Sequence, residues 1–464
     1  MKHSMALVLP LLALAGGCAP YKYHAAPISP PVLARNLESR NLDDPGLRAW
    51  MEQAAGFTPS SWPLSAWNQN ELTLAAYYFN TDMDVARANA AASEAAIKTA
   101  AMKPNPSVGA DAGYETAADS PYLLGFDFSL PIETAGRRGY RIAEAKHLST
   151  ASRIQVAETA WAVRSRVRAS LVDMLFAKET VKLLREQESR QVKYLDLLET
   201  RLKAGEIPLP SVTTARIDLT NLHQLLRTAE GQVTIAHSAL AAAVGIPDSG
   251  LAGKIIRWIG SNQPLVPSAL PAPSMRAIAV ENRLDVQRAL ARYEAAQSRL
   301  QLEVARQYPD INLGPGYAYE EGVHLISLRL GAILPLRNRN EGPIAEAEAQ
   351  RKAAGAQLLA TQSMVIAQTD KAMAQYAASY AVLEETRRAT AQLQQQRGAN
   401  YELLKSGEVD QLAAVSADIQ VEVAERARLD ALKQVQVALA LLEDALQRPV
   451  GSETALALPK KAPR

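Results

Sequence analysis

Apolar and polar positions alternate with two periods along this chain, and both periods recur in the same order in its two halves. The first pattern predicts a helix over Glu71 to Met102 and another over Ser274 to Gln307, each stopped by a proline. Two short strand-like runs follow each helix. In the first half Val108, Ala110, Ala112 and Tyr114 alternate with small or polar residues, and Leu124, Phe126, Phe128 and Leu130 alternate with Gly125, Asp127 and Ser129. In the second half Ile311, Leu313, Tyr317 and Tyr319 precede a Glu320-Glu321-Gly322 turn, after which Ile326, Leu328 and Leu330 alternate with Ser327, Arg329 and Gly331. A period of two describes strands that are apolar on one face and polar on the other. Pro131 and Pro335 are expected to end the second strand of each pair.

Long helices come next. Tyr140 to Ala204 holds neither glycine nor proline and would extend roughly 98 Å as one helix. Partner helices are expected over Ser211–Val244, Ile344–Ser406 and Glu408–Arg448. In the last of these Leu432, Val435, Leu439, Leu442 and Leu446 recur three and four apart as a coiled-coil seam.

The halves are copies. Lys203-Ala-Gly205-Glu206-Ile207 matches Lys405-Ser-Gly407-Glu408-Val409 at an offset of 202, as do Ile142–Ala145 with Ile344–Ala347, Asn80 with Asn282, and Pro247 with Pro449. Pro106 through Tyr114 matches Pro309 through Tyr317 at 203. The expected organisation is a first repeat over 70–262, a linker over 263–273, a second repeat over 274–449 and a tail over 450–464.

Composition narrows the function. The 50 Lys+Arg and 48 Asp+Glu nearly cancel, which removes the basic excess that a nucleic-acid binder needs. A single cysteine excludes a disulfide framework and a multi-thiolate metal site. That residue is Cys18, preceded by Lys2, an apolar run and Leu14-Ala15-Gly16-Gly17, which reads as a signal over 1–17. A signal ending at small residues and cysteine resembles a bacterial lipoprotein processing site, with Cys18 the lipid carrier and 18–69 an extended tether. Ala19, where an aspartate would retain the protein inside, suggests sorting to the outer membrane.

No later segment offers the roughly 18–20 uncharged apolar residues of a spanning helix. Crossing a membrane would therefore need a closed barrel. Four strands per chain cannot close one, since about eight is the smallest; three chains would supply twelve strands, and the long helices a hollow cylinder beneath them. Without pore formation the same pattern describes a lipid-anchored structural coiled coil with two hairpins.

The order helix, proline, strand pair, long helix, glycine turn, long helix, twice over, resembles the TolC-type outer-membrane factor family across residues 65–450. Leu130-Pro-Ile-Glu-Thr-Ala-Gly136-Arg137-Arg138, Glu281-Asn282-Arg-Leu-Asp285, Tyr308-Pro309-Asp310-Ile311 and Leu334-Pro335-Leu-Arg-Asn338-Arg339-Asn340 look like its CzcC-like heavy-metal branch. The resemblance implies a homotrimeric channel-tunnel in a Gram-negative outer membrane. It would dock on a periplasmic adaptor and a proton-driven inner-membrane pump of the resistance-nodulation-division class, conduct substrate passively, and be no enzyme. Heavy-metal cations are the expected cargo, with organic drugs or a secreted polypeptide as alternatives.

On this resemblance the turns holding Gly205, Glu206, Gly407 and Glu408 form the adaptor-docking tip, while glycine after a basic helix end is also ordinary capping chemistry. Relatives place acids just beyond the second turn. Ala413 and Ser416 stand there instead, with Asp410 and Asp418 the nearest acids, and Asp410 is the candidate entrance constriction. Asp127, Ser129, Ser327 and Arg329 would face the barrel lumen, where solvation accounts for them and selective permeation is the sharper reading. The six histidines form no ligand motif, Asp248–Lys254 fails as a phosphate loop, and neither metal nor cofactor is expected.

Overall fold

The structure is a computed structural model that describes residues 22–59, 61–116, 122–257, 264–270 and 272–450. Cys18, the expected signal and nearly all of the tail lie outside the described residues. Residues 1–40 form one unit, whose described structure is helix α1 (Pro30–Glu38), started by prolines that set φ for the first turn. Residues 41–464 form the second unit. It opens with α2 (Pro45–Gln53), capped by the Asp44 carboxylate accepting from the Gly46 N–H at 2.6 Å. Leu42, Leu47 and Met51 are fully buried in the main core. The extended tether expected over 18–69 is thus helical in part, and from Leu42 onward it is packed structure.

Each helix expected ahead of a strand pair is two helices. The first is α3 (Gln69–Phe79) and α4 (Thr81–Ala100); the second is α8 (Ala272–Asn282) and α9 (Leu284–Ala305). The break follows from local chemistry. Asn80 takes an extended backbone and its side chain accepts from the Asp82 N–H at 2.9 Å, starting a new helix.

Strands β1 (Ser107–Tyr114), β2 (Tyr122–Ile132), β3 (Ile311–Glu320) and β4 (Val323–Ala332) form one antiparallel sheet in sequence order. The hairpins of the two copies meet through β2 and β3, with Leu130 opposite Leu313 and Ile132 opposite Ile311. Pro131 lies inside β2 rather than ending it, and β4 stops at Ala332, short of Pro335.

Two helical hairpins leave the sheet. The first is α5 (Arg137–Lys203) with α6 (Leu209–Val244), followed by the short α7 (Asp248–Leu251); the second is α10 (Glu341–Ser406) with α11 (Gln411–Leu446). With 67 and 66 residues, α5 and α10 each run about 100 Å. The shorter helices stack end to end beside them, α4 with α6 and α9 with α11. At the first junction the Asn80 Nδ2 donates to the Ala243 carbonyl at 3.2 Å, and Gly245 (φ +90°) lies so close that an added Cβ would stand 2.9 Å from the Asn80 Cα. At the second, the Gln447 Oε1 accepts from the Leu284 N–H at 2.6 Å, and Arg283 donates to the Ala445 carbonyl at 3.3 Å.

The main core lies where α2, α3, α5 and the end of α6 converge, around Trp67, Leu72, Leu171 and Leu240. A second core joins α8, α10 and α11; Leu432, Val435, Leu442 and Leu446 of the expected seam are buried there, and Leu439 is partly so. Between the copies, Arg164 and Arg168 of α5 both reach Glu443 of α11. Arg168 is 2% and Glu443 1% exposed, so these charges are sealed from water. None of the described helices is long and apolar enough to cross a membrane.

Candidate functional site: a two-faced sheet and a paired tip

Strand alternation sorts the sheet into two faces. One carries Val108, Tyr114, Leu124, Phe126, Phe128, Leu130, Ile326, Leu328 and Leu330; these registers place them side by side. It meets no other part of the described chain: Ile326 is 85%, Leu328 71% and Leu330 71% exposed. An apolar face this large and unpartnered is foreign to the surface of a soluble monomer. Its turn end is aromatic. Tyr114 packs on Tyr122 with ring centres 5.7 Å apart, Tyr319 on His324 at 5.2 Å, and the Tyr317 hydroxyl bonds His324 Nδ1 at 2.7 Å.

The opposite face brings Asp127, Ser129, Ser327 and Arg329 together around a hollow of about 240 Å³, with Asn312, Gly314, Gly316 and Gly331 among its other lining residues. The glycines keep it open, since a Cβ at Gly314 would stand 2.5 Å from the Phe128 carbonyl and one at Gly316 2.8 Å from Ser327 Oγ. All four residues expected on a wet face therefore share one surface. Both outer edges of the sheet, on β1 and β4, lack a strand partner among the described residues.

The two glycine turns use the same chemistry. Gly205 and Gly407 are left-handed (φ +75° and +79°), and the following N–H groups, of Glu206 and Glu408, close onto the Arg201 and Leu403 carbonyls at 2.9 Å each. The turns lie together: Arg201 of α5 pairs with Asp410, and Leu412 packs on the cluster of Leu198, Val212 and Ala215. Asp410 also caps α11, its Oδ1 accepting from the Ala413 N–H at 2.9 Å. That backbone bond, with Arg201 beside it, holds the carboxyl below the usual aspartate range. Farther along, the Tyr401 hydroxyl donates to Asp418 at 2.8 Å with Arg190 3.8 Å away. Arg201, the link between the turns, carries no motif by which the sequence could single it out.

Two histidines are held by carboxylates: His223 by Glu188 at 2.9 Å and His237 by Asp248 at 2.8 Å. Among the described residues no group of three or more His, Cys, Asp or Glu could hold a metal ion.

Known proteins resemble this chain in sequence and in fold. The sequence model of the outer membrane efflux protein family matches residues 76–246 and again 276–447, one match per repeat. The cobalt-zinc-cadmium resistance protein CzcC of Cupriavidus metallidurans is 26% identical over 283 residues, 61% of this chain; the match spans 66% of that relative's length. The outer membrane protein VceC of Vibrio cholerae superposes with a TM-score of 0.67 at 19% identity, over 82% of this chain and 96% of its own. CusC, solved in a study of folding and transmembrane channel formation, gives 0.65 at 16% identity, over 84% and 95%.

Proposed function

We propose that this chain, which belongs to the outer membrane efflux protein family, is the passive outer-membrane conduit of a tripartite metal-efflux system. It is a channel protein and not an enzyme. The observation that carries the reading is the two-faced sheet with both edges unpaired, set at one end of helices about 100 Å long. Three of its four strands, with 10 or 11 residues, have the length of membrane strands, and an apolar outside with a polar inside is the sidedness of a lipid-embedded barrel. A structural rod has no use for such a face.

A homotrimer closes the barrel. Two copies would give eight strands, an interior its own side chains fill, whereas twelve strands leave an aqueous lumen. The polar hollow around Asp127 and Arg329 then lines the pore. The tip built by Gly205, Glu206, Gly407 and Glu408 lies at the far end of α5 and α10 and meets the periplasmic adaptor, which links it to an inner-membrane pump. Asp410 acts at the entrance by holding the two turns together. A lipid on Cys18 adds an anchor in the outer membrane. Heavy-metal cations are the proposed cargo, on the likeness to the cobalt-zinc-cadmium resistance protein.

Purified protein in planar bilayers should give step-like ion currents, and a deletion strain should become sensitive to cobalt, zinc or cadmium. Absence of currents even after the tip is loosened at Asp410 sinks the conduit; sensitivity to drugs alone sinks the metal assignment.

A further inference from the structure

One hollow belongs to neither the sheet nor the tip. It lies where α5 of the first repeat meets α10 and α11 of the second, and its volume of about 570 Å³ is that of a small-molecule site, roughly 300–1,000 Å³. One wall is Trp161, whose indole N–H donates to Asp444 Oδ1 at 2.8 Å. The Arg164 guanidinium carbon stands 4.9 Å from the ring centre, so the indole is fixed at its edge and on one face. Ser165 donates to the same Asp444 oxygen; the other, Oδ2, accepts no hydrogen bond among the described residues. Leu441, 46% exposed, adds apolar surface beside them.

The α10 wall is polar. Gln368, Lys371 and Gln375 recur three and four apart and so share one helix face; all three are exposed and line the hollow. None of them makes a hydrogen bond or ion pair with another described residue, which leaves two amides and an ammonium group for a ligand. The repeat itself does not call for this set. At the helix offset of 202, Trp161 corresponds to Ser363, and Gln368, Lys371 and Gln375 correspond to Arg166, Ala169 and Asp173. Both copies build the same helices, so packing alone does not explain an indole beside two amides and an amine in this one place.

We propose that this hollow binds a saccharide carrying one carboxylate. A sugar ring has a face of C–H groups, which pack on the indole. Around its edge are hydroxyls, which the two amides and Asp444 Oδ2 bond as donors and acceptors. Lys371 takes the carboxylate. Other ligand classes fit less well. An apolar ligand would strand the amides and the amine. A polyphosphate would meet the Asp444 and Glu158 carboxylates, while Arg283 is already committed to Asp285 at 2.6 Å and to the Ala445 carbonyl. A bare metal ion would find no group of three ligating side chains among the described residues. The site does not rest on the conduit reading, since binding needs no pore. Two sources present such a sugar: the polysaccharide of a bacterial cell wall, and a free sugar acid.

Titration calorimetry of the full-length protein in detergent tests this with N-acetylmuramic acid, which carries a carboxylate, against N-acetylglucosamine, which does not. The acid should bind about tenfold tighter, for a hydrogen bond between charged groups. Lys371→Gln should abolish that preference while keeping the neutral sugar, and Trp161→Ala should weaken both by about tenfold. Gln375→Ala, at an exposed position, should weaken both with an unchanged melting temperature, so its loss of binding is not misfolding. Co-sedimentation with purified cell-wall sacculi separates the sources. Sedimentation displaced by N-acetylmuramic acid assigns the wall polysaccharide, and binding of the soluble acid alone assigns a free sugar acid. No heat with either sugar and no sedimentation, or binding unaltered in all three variants, overturns the site. Equal affinity for the two sugars overturns the role of Lys371.

Discussion

Arg201, in the last turn of α5, pairs with Asp410, the residue that caps α11, so one ion pair joins the two glycine turns of the duplicated chain. Asp410→Asn keeps an oxygen for the Ala413 N–H and loses the charge partner. Asp410→Ala loses both, and the missing cap alone costs about 1 kcal/mol. If this pair holds the turns together, both variants raise channel open probability in bilayers while only the alanine variant lowers the melting temperature. Equal open probability in all three proteins removes the pair from any role at the entrance.

The same carboxyl sets a pH dependence. Its folded pKa is depressed, so its contribution is fully present above the ordinary aspartate value of about 3.9 and is lost as pH falls through the lowered folded value. Open probability should rise on acidification below about pH 4 in the wild type and be flat there in Asp410→Asn. Parallel acid profiles for the two would assign the effect to another group.

Two glycines separate crowding from backbone strain. Gly407 is left-handed in open space, and Gly407→Ala should cost about 1–2 kcal/mol for the left-handed conformation. Gly245 is left-handed and pressed on the backbone of Phe79 and Asn80, so Gly245→Ala should cost more, by pushing α6 away from α4. Thermal unfolding in detergent reads both, and equal losses would mean the stacked helices have slack.

The sealed charges between the copies predict a large effect from a small change. Glu443→Ala leaves Arg164 and Arg168 without their shared carboxylate inside the protein, a loss of about 3–5 kcal/mol. Denaturant unfolding should show it, and a loss below about 1 kcal/mol would indicate that water reaches the pair.

If the polar hollow around Asp127 and Arg329 lines the pore, Asp127→Asn should shift the reversal potential in a salt gradient toward anion preference, and Arg329→Gln toward cation preference. An identical reversal potential in wild type and both variants would place this hollow off the ion path.

Much of this was legible because periodicity and proline are local signals. The alternation from Val108 to Leu130 and from Ile311 to Leu330 needed no tertiary information, and neither did the glycine-capped helix ends at Gly205 and Gly407. The break at Asn80 was written in Asn80-Thr81-Asp82, an extended capping residue before an acidic first turn, yet the apolar pattern runs across it and masks it. Prolines after Ser29 and Asp44 likewise announce α1 and α2 within the expected tether. Arg201, Arg168 and Glu443 carry no local signal at all. Each matters through a partner more than 200 residues away, which pattern alone does not reveal.

The bare apolar face bears on how the protein reaches its destination. If that face is destined for lipid, a chain still in water presents Ile326, Leu328 and Leu330 beside two open strand edges, a combination prone to irregular self-adhesion. Its lifetime in the aqueous compartment is therefore a race between delivery and clumping, and overproduction favours clumping because adhesion rises with concentration. Whatever covers that face and those edges early, lipid or another surface, shortens the time in which such adhesion can begin.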